Sequence, residues 1–354
     1  MAVLRRRGGR REQPGGGASS AADDLDLRAV ATTLLDAAEA ALGARPELTE
    51  GPEPIPAGAG AGPDAYLFAV ATDDPAWSGT LVARTSPVEV LRREAGCIRA
   101  LGGAGYPVPE MVSDQAEQGV VVVRPAAGAS LASAMVDDFM AVPKLLAGFG
   151  QLHARLHDLP PAALDGLDLG RDAAPLDELT DRAAVDAVQT ELDAELTWLA
   201  KNHPRPPDER EVLCHGELNP VHVYVVDTDP STECPVNWTR ARRAAPAFDV
   251  AATTIAFWTA PLYVESTVQR TALKVIRDSL ISGYLKAYTE ASTGGLDDDA
   301  LAYWQAFHLG WLATDLARRL HDEPVGSWEP AASAVNPAGA LDDVRKRFWA
   351  FADG

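Results

Sequence analysis

Apolar residues recur along this chain with two different periods, and the change between them divides it. Ala65 to Thr72 and Gly79 to Arg84 are short strand-like runs separated by Asp73-Asp74-Pro75, the pattern of two strands joined as a hairpin. Ser86-Pro87-Val88-Glu89 then reads as a helix start. A serine hydroxyl can accept from the N3 amide, the glutamate can reach back, and proline suits the first helical position. Val88, Leu91, Ala95, Ile98 and Leu101 recur every three or four residues, and Gly102-Gly103 stop the helix. Gly119 to Val123 reads as a β-branched strand, closed by Pro125 and Gly128. Upstream, Leu27, Val30, Leu34 and Leu35 mark a helix over about 24–42, followed by a Gly/Pro stretch from Gly51 to Pro63.

Beyond Ser130 the helical period dominates. Phe149, Leu152 and Leu156 mark a helix ending near His157, and further helices are expected over 176–202, 266–292, 297–321 and 339–352. Val212 to Val226 and Pro235 to Trp238 interrupt them as short strands and a loop. The order β-β-α-β, a junction at Arg124 to Ser130, then helices predicts an α+β protein of two lobes. Residues 24–125 would form a small β-rich N-lobe and 126–354 a larger, mainly helical C-lobe with a functional insert over 212–251. Residues 1–23, rich in Arg, Gly and Ser, read as a disordered basic arm.

Composition narrows the function. A chain of 354 residues, 47% hydrophobic, can bury the cores of two lobes that share a cleft. Its 31 basic against 51 acidic residues give a net charge of −20, which argues against nucleic acid and suits a cationic small molecule, although an acidic surface also serves solubility. No apolar run is long enough to span a membrane. The basic start is followed by Gly, Ser and Ala rather than a signal-peptide core. Cys97, Cys214 and Cys234 lack paired zinc spacing and are odd in number, so reduced thiols in a cytoplasmic protein are expected.

The densest chemistry lies in His215-Gly216-Glu217-Leu218-Asn219-Pro220-Val221-His222, followed by Val236-Asn237-Trp238 and by Phe248-Asp249-Val250-Ala251. These segments resemble the catalytic region of the aminoglycoside phosphotransferase and choline kinase superfamily, whose pattern is His-Gly-Asp, four residues, Asn, a strand, Ile-Asp-Trp and a later Asp-Leu-Ala. Gln151 to His157, the helix from Glu89 to Leu101 and Tyr106-Pro107-Val108-Pro109 extend the resemblance over roughly 50–320. It implies a two-lobed protein-kinase-like fold and descent from ATP-dependent small-molecule kinases. It also implies roles. Gly58 to Gly62, with Gly60 and Gly62, would lie over nucleotide phosphates. Arg84 would contact phosphates and pair with Glu94. The backbone of Arg124 to Ala126 would meet adenine. His215 would shape the catalytic loop, Asp249 would cap its amides, and Trp238 would pack beneath it.

Three positions of that pattern differ here. Glu217 stands for the aspartate that handles the substrate hydroxyl, and its extra methylene shifts the carboxylate by roughly 1–1.5 Å, a displacement worth on the order of 100-fold in rate. His222 and Asn237 stand for the two magnesium ligands. Magnesium prefers anionic oxygen, an amide offers one neutral oxygen, and imidazole suits other metals. The resemblance therefore implies an impaired phosphotransferase that binds a nucleotide such as ATP, or a small molecule, with magnesium poorly held. The alternatives are an active O-phosphotransferase with Glu217 as base and another acid such as Glu233 at the metal, and a non-catalytic protein binding a protein partner, its cleft filled by Tyr224 or Phe248.

Weaker patterns accompany these. His215, Glu217 and His222 could hold a transition metal. His153 and His157 are spaced as in zinc proteases but lack the glutamate beside the first histidine, so helix packing and loop capping suit them better. No G-x-S-x-G turn supports a serine hydrolase. Asp297, Asp298, Asp299 and Asp315 would line an acidic pocket or face water, the first three suiting a helix N-terminus.

Overall fold

A computed structural model of the protein describes residues 20–55, 64–167, 169, 174–203, 210–325 and 334–352. Its N-terminal part is a five-stranded antiparallel sheet of β1 (Leu48–Pro54), β2 (Ala65–Val70), β3 (Leu81–Arg84), β4 (Met111–Gln115) and β5 (Val120–Val123), in the order β1-β2-β3-β5-β4. A helix covers each face. On α1 (Ser20–Leu42), Val30, Leu34, Ala37 and Ala38 share a core with Phe68, Leu81, Val120 and Val122. On α2 (Val88–Gly103), Leu91 and Ala95 pack with Val121. Consecutive valines of β5 thus feed opposite cores, as the strand period of two requires.

The differences from the sequence reading lie at edges and caps. The expected Gly/Pro stretch from Gly51 to Pro63 overlaps the second half of β1. The strand carries Gly51, Pro52 and Pro54, which an edge strand tolerates because one side of its backbone needs no partner. β4, the other edge, is mostly half-exposed and lacks a clear apolar alternation. α1 begins at Ser20, four residues before the expected start. α2 begins one residue later than expected, with Pro87 as its N-cap and no side-chain cap from Ser86. The Pro87 carbonyl instead accepts from the amides of Val90 and Leu91 at 2.9 and 3.1 Å. The glycine-rich stretch with Gly58, Gly60 and Gly62 lies outside the described residues.

The remainder is helical around a small β insert. Its helices are α3 (Leu131–Asp137), α4 (Val142–His157), α5 (Pro175–Arg182), α6 (Asp186–Asn202), α7 (Pro246–Thr259), α8 (Thr267–Ala291), α9 (Asp298–Leu320) and α10 (Pro337–Ala352). The single helix expected over 176–202 is two, broken at an extended Val185. The insert holds β6 (Ala129–Ser130), β7 (Val212–Cys214), β8 (Val223–Val226), β9 (Asp229–Pro235) and β10 (Arg242–Ala244). β10 pairs with β7, and β8 lies between β6 and β9. α4 and α8 approach closely at Gly150, where a Cβ would stand 2.6 Å from that of Ala287. This is the expected α+β architecture. No described helix is long and apolar enough to cross a membrane.

Candidate active site

The segment from His215 to His222 is held at both ends by paired strands, β7 before it and β8 after it. α7 starts directly after β10, and its first turn brings Asp249, fully buried, to the base of the loop. Asp249 Oδ2 accepts from the His215 amide at 2.6 Å and Oδ1 from the Gly216 amide at 2.9 Å. Gly216 has φ +83°, and a Cβ there would meet the Arg240 carbonyl oxygen at 2.2 Å. Only glycine lets the two loops touch so closely.

Asp249 also joins two helices to the loop. His153 and His157 of α4 reach its Oδ2 through Nε2 at 3.1 and 3.4 Å, and their Nδ1 atoms meet the hydroxyls of Tyr284 and Tyr288 on α8 at 2.6 and 2.7 Å. Burial, then the neighbouring His153, pushes His157 down to about 4. Burial raises both tyrosines, which stay protonated. The pattern that satisfies every group has each histidine donating Nε2–H to the carboxylate and accepting at Nδ1 from its tyrosine. Burial of Asp249 works against its ionisation, yet the bonds from His153 and His157 hold its carboxyl well below the usual range. His153, His157 and Asp249 stand close enough to share a metal ion, but their ligand atoms are already engaged in this network.

The two positions where metal ligands were expected, His222 and Asn237, are bonded to one another. The Nδ1–H of His222 donates to the Glu217 carbonyl at 2.8 Å, which leaves Nε2 as an acceptor. Asn237 Nδ2 faces that nitrogen at 3.4 Å, and Asn237 Oδ1 accepts from the Thr239 hydroxyl at 2.9 Å. Both side chains are buried, and Asn237 holds a left-handed φ of 66°. His215 donates from Nε2 to the Val236 carbonyl at 2.9 Å, packs on Trp238 with ring centroids 4.6 Å apart, and is lowered by burial to about 4. Glu217 Oε2 lies 3.5 Å from Arg240 Nε.

In the N-terminal part, Arg84 of β3 and Glu94 of α2 form a buried ion pair. The adjacent Arg93 donates to the Thr239 carbonyl at 3.0 Å, so α2 is tied both to the sheet and to the segment after Asn237. Arg124 spends its guanidinium on the carbonyls of Pro75, Ala76 and Ser78, and its own amide donates to Glu110. Ala126 is half-buried in the connection to β6.

Several expectations change. Glu233 does not join Asn237: its Oε1 lies against Gly148 of α4, and burial, opposed by Arg155, raises it to about 8. Phe248 packs in the helical core, its ring 5.1 Å from Trp304, so it does not fill the cleft, and Tyr224 is half-buried on β8. Asp315 neither faces water nor lines an acidic pocket; it is buried and paired with Arg182. Asp297 caps α9 through the Ala300 amide at 2.7 Å. The sequence reading missed Arg93, Arg240, Tyr284 and Tyr288. For the tyrosines a signal existed, since they repeat the four-residue step of His153 and His157.

Known proteins agree with this layout. The family model described as "Phosphotransferase enzyme family" (APH) matches residues 55–294. No curated protein sequence matches significantly. Among solved structures, the choline kinase LicA from Streptococcus pneumoniae is 12% identical, covering 91% of this chain and 99% of that one with a TM-score of 0.58. A choline/ethanolamine kinase family protein from Mesorhizobium loti is 16% identical, covering 92% and 94%, with a TM-score of 0.53. The amicoumacin kinase hAmiN, solved with AMP-PNP, Ca2+ and Ami, is 14% identical, covering 81% and 86%, with a TM-score of 0.54. Identities this low speak to the fold, while the family match spans well over half of the chain. The chain belongs to the APH phosphotransferase enzyme family and has its kinase-like α+β fold.

Proposed function

We propose that this protein is a phosphotransferase-family member whose metal-dependent transfer is impaired and which binds a nucleotide or another small molecule without magnesium. The observation that carries this reading is the contact between His222 and Asn237. A magnesium ion needs hard oxygen ligands, preferably anionic. The two aligned positions supply an imidazole nitrogen and an amide whose oxygen already accepts from Thr239, and they face each other at 3.4 Å. These residues do not fit the ion. Glu217 is further constrained by Arg240, whose Nε lies 3.5 Å from its carboxylate Oε2.

Binding is a separate matter. The buried Arg84–Glu94 pair supplies the cation that the family directs at phosphates. Similar folds have been solved with AMP-PNP and with AMP, which makes an adenine nucleotide the first ligand to try. Thermal-shift titrations with ATP, alone and with magnesium or manganese, test the reading. Stabilisation by ATP that is unchanged by metal, with no ATP turnover, is expected. Metal-dependent stabilisation with turnover that Glu217→Gln abolishes would establish an active O-phosphotransferase instead. No shift with any nucleotide would favour a non-catalytic interaction protein.

A further inference from the structure

A second concave site lies in the helical part, where the end of α7 and the turn after it meet α8 and α10. The cavity measures about 340 Å³, and its floor is Trp258 of α7, 8% exposed. Four cationic side chains line it, Lys274 and Arg277 from α8 and Lys346 and Arg347 from α10, against one carboxylate, Asp343. Four positive charges less one negative leave +3 in a protein whose net charge is −20. The spacing is ordered: Asp343, Lys346, Arg347 and Ala350 fall on one face of α10, and Lys274 and Arg277 are one turn apart on α8.

Both arginines lie over aromatic rings, and Arg277 also has a surface carboxylate within reach. The Arg277 guanidinium lies 5.0 Å from the Trp258 ring centroid, and that of Arg347 lies 4.3 Å from Phe351 and 6.0 Å from Trp258. Among the described residues, the Nε of each is buried without a hydrogen-bond partner. The carboxylate beside Arg277 is the exposed Asp278, 3.7 Å away, and among the described residues no carboxylate forms an ion pair with Arg347. On another face of the same helix, Arg345 is paired with the buried Glu195 at 2.8 Å, and Trp349 donates to the same carboxylate. α10 therefore satisfies one arginine internally and leaves the other beside a like charge. Burial and then the neighbouring Arg277 lower the pKa of Arg347, against a smaller opposing effect of Asp278.

A guanidinium stacked on a ring keeps its N–H edge free and oriented, the geometry that meets planar or tetrahedral oxyanions in a bidentate fashion. We propose that this cavity is a binding site for a small oxyanion, a phosphorylated or carboxylated molecule, gripped by Arg277 and Arg347 over Trp258 with Lys274 and Lys346 at the rim. Nothing in this proposal depends on the chemistry at Glu217.

The test is direct calorimetric titration of the full chain at constant ionic strength with inorganic phosphate, pyrophosphate and succinate, with chloride as background. Saturable binding of at least one of them is expected. Arg277→Gln with Arg347→Gln weakens it about tenfold or more, the loss of at least one charge-assisted bond. Lys274 and Lys346 are exposed, so Lys274→Ala with Lys346→Ala leaves the fold intact and weakens binding severalfold. That second pair decides the matter if the arginine variant does not fold. A preference for phosphate over succinate, or the reverse, identifies the oxyanion. Absence of saturable binding of all three by the unmodified protein overturns the proposal, as does binding that survives both pairs of substitutions.

Discussion

Replacing Asp249 by asparagine removes one charge and one acceptor from the side chain that joins α4 to the loop after β7. Its carboxylate receives four N–H donors: the amides of His215 and Gly216 and the rings of His153 and His157. Three of these converge on Oδ2, so the amide group settles with its oxygen there and turns its NH2 toward the Gly216 amide. A buried N–H left facing another donor costs about 2 kcal/mol. Each of the three remaining bonds loses a charged acceptor, at about 1 kcal/mol apiece. From that sum of roughly 5 kcal/mol, relief of the carboxylate's desolvation returns part, and a net loss of about 3 kcal/mol is expected. For 354 residues, with an unfolding entropy near 0.7 kcal/mol/K, this lowers Tm by roughly 4 °C. Calorimetry measures the shift, and hydrogen exchange locates it. Peptides spanning 212–218 should exchange faster in Asp249→Asn, whereas those of α10 should not change. A Tm within a degree of the unmodified protein, or faster exchange spread evenly over the chain, would refute the claim that Asp249 fastens the loop.

Two further outcomes follow from the same region. His157 and His215 are each pushed down to about 4 by burial, against about 6.5 in an unfolded chain. Between those values the unfolded state binds protons that the folded state refuses, so stability is full above about pH 6.5 and falls as pH drops toward 4. Denaturant titrations at pH 7.5, 6 and 5 should show a decline approaching about 1.4 kcal/mol per pH unit for each histidine, shallower in His215→Asn; a slope unaltered by that substitution would contradict the assignment. Gly216→Ala and Gly119→Ala separate strain from collision. Both sites have φ +83°, at a cost of about 1–2 kcal/mol, but a Cβ at Gly119 meets nothing within 4 Å while one at Gly216 strikes the Arg240 carbonyl. Chemical denaturation should therefore show the greater loss for Gly216→Ala, and equal losses would mean that the contact between the loops is loose.

How much of this was legible depended on whether a feature is local. The helices of residues 266–352 were readable because each is a long stretch without an interior proline beyond its first turn, and β2, β3 and β5 because they are apolar and flanked by turn residues. The edge strands β1 and β4 were not, since a strand paired on one side need not alternate. At the site, Glu217, His222 and Asn237 were conspicuous as departures from a contiguous pattern. The Arg240 contact with Glu217 was invisible, because it depends on how the loop before β10 lies against the loop after β7. The structure adds most at His222 and Asn237, which in sequence are two separate changes fifteen residues apart. With its Nδ1–H committed to the Glu217 carbonyl, His222 presents a lone pair at Nε2 and needs a donor opposite. An aspartate at 237 would offer only lone pairs, and the contact would hold only if the histidine took up a proton. An amide offers N–H there and still accepts from Thr239 with its oxygen. Each residue supplies the hydrogen-bonding partner that the other requires. Asn237→Asp alone therefore leaves a buried carboxylate facing a lone pair, a conflict that adding His222→Asn relieves, because an amide can turn its NH2 toward the carboxylate.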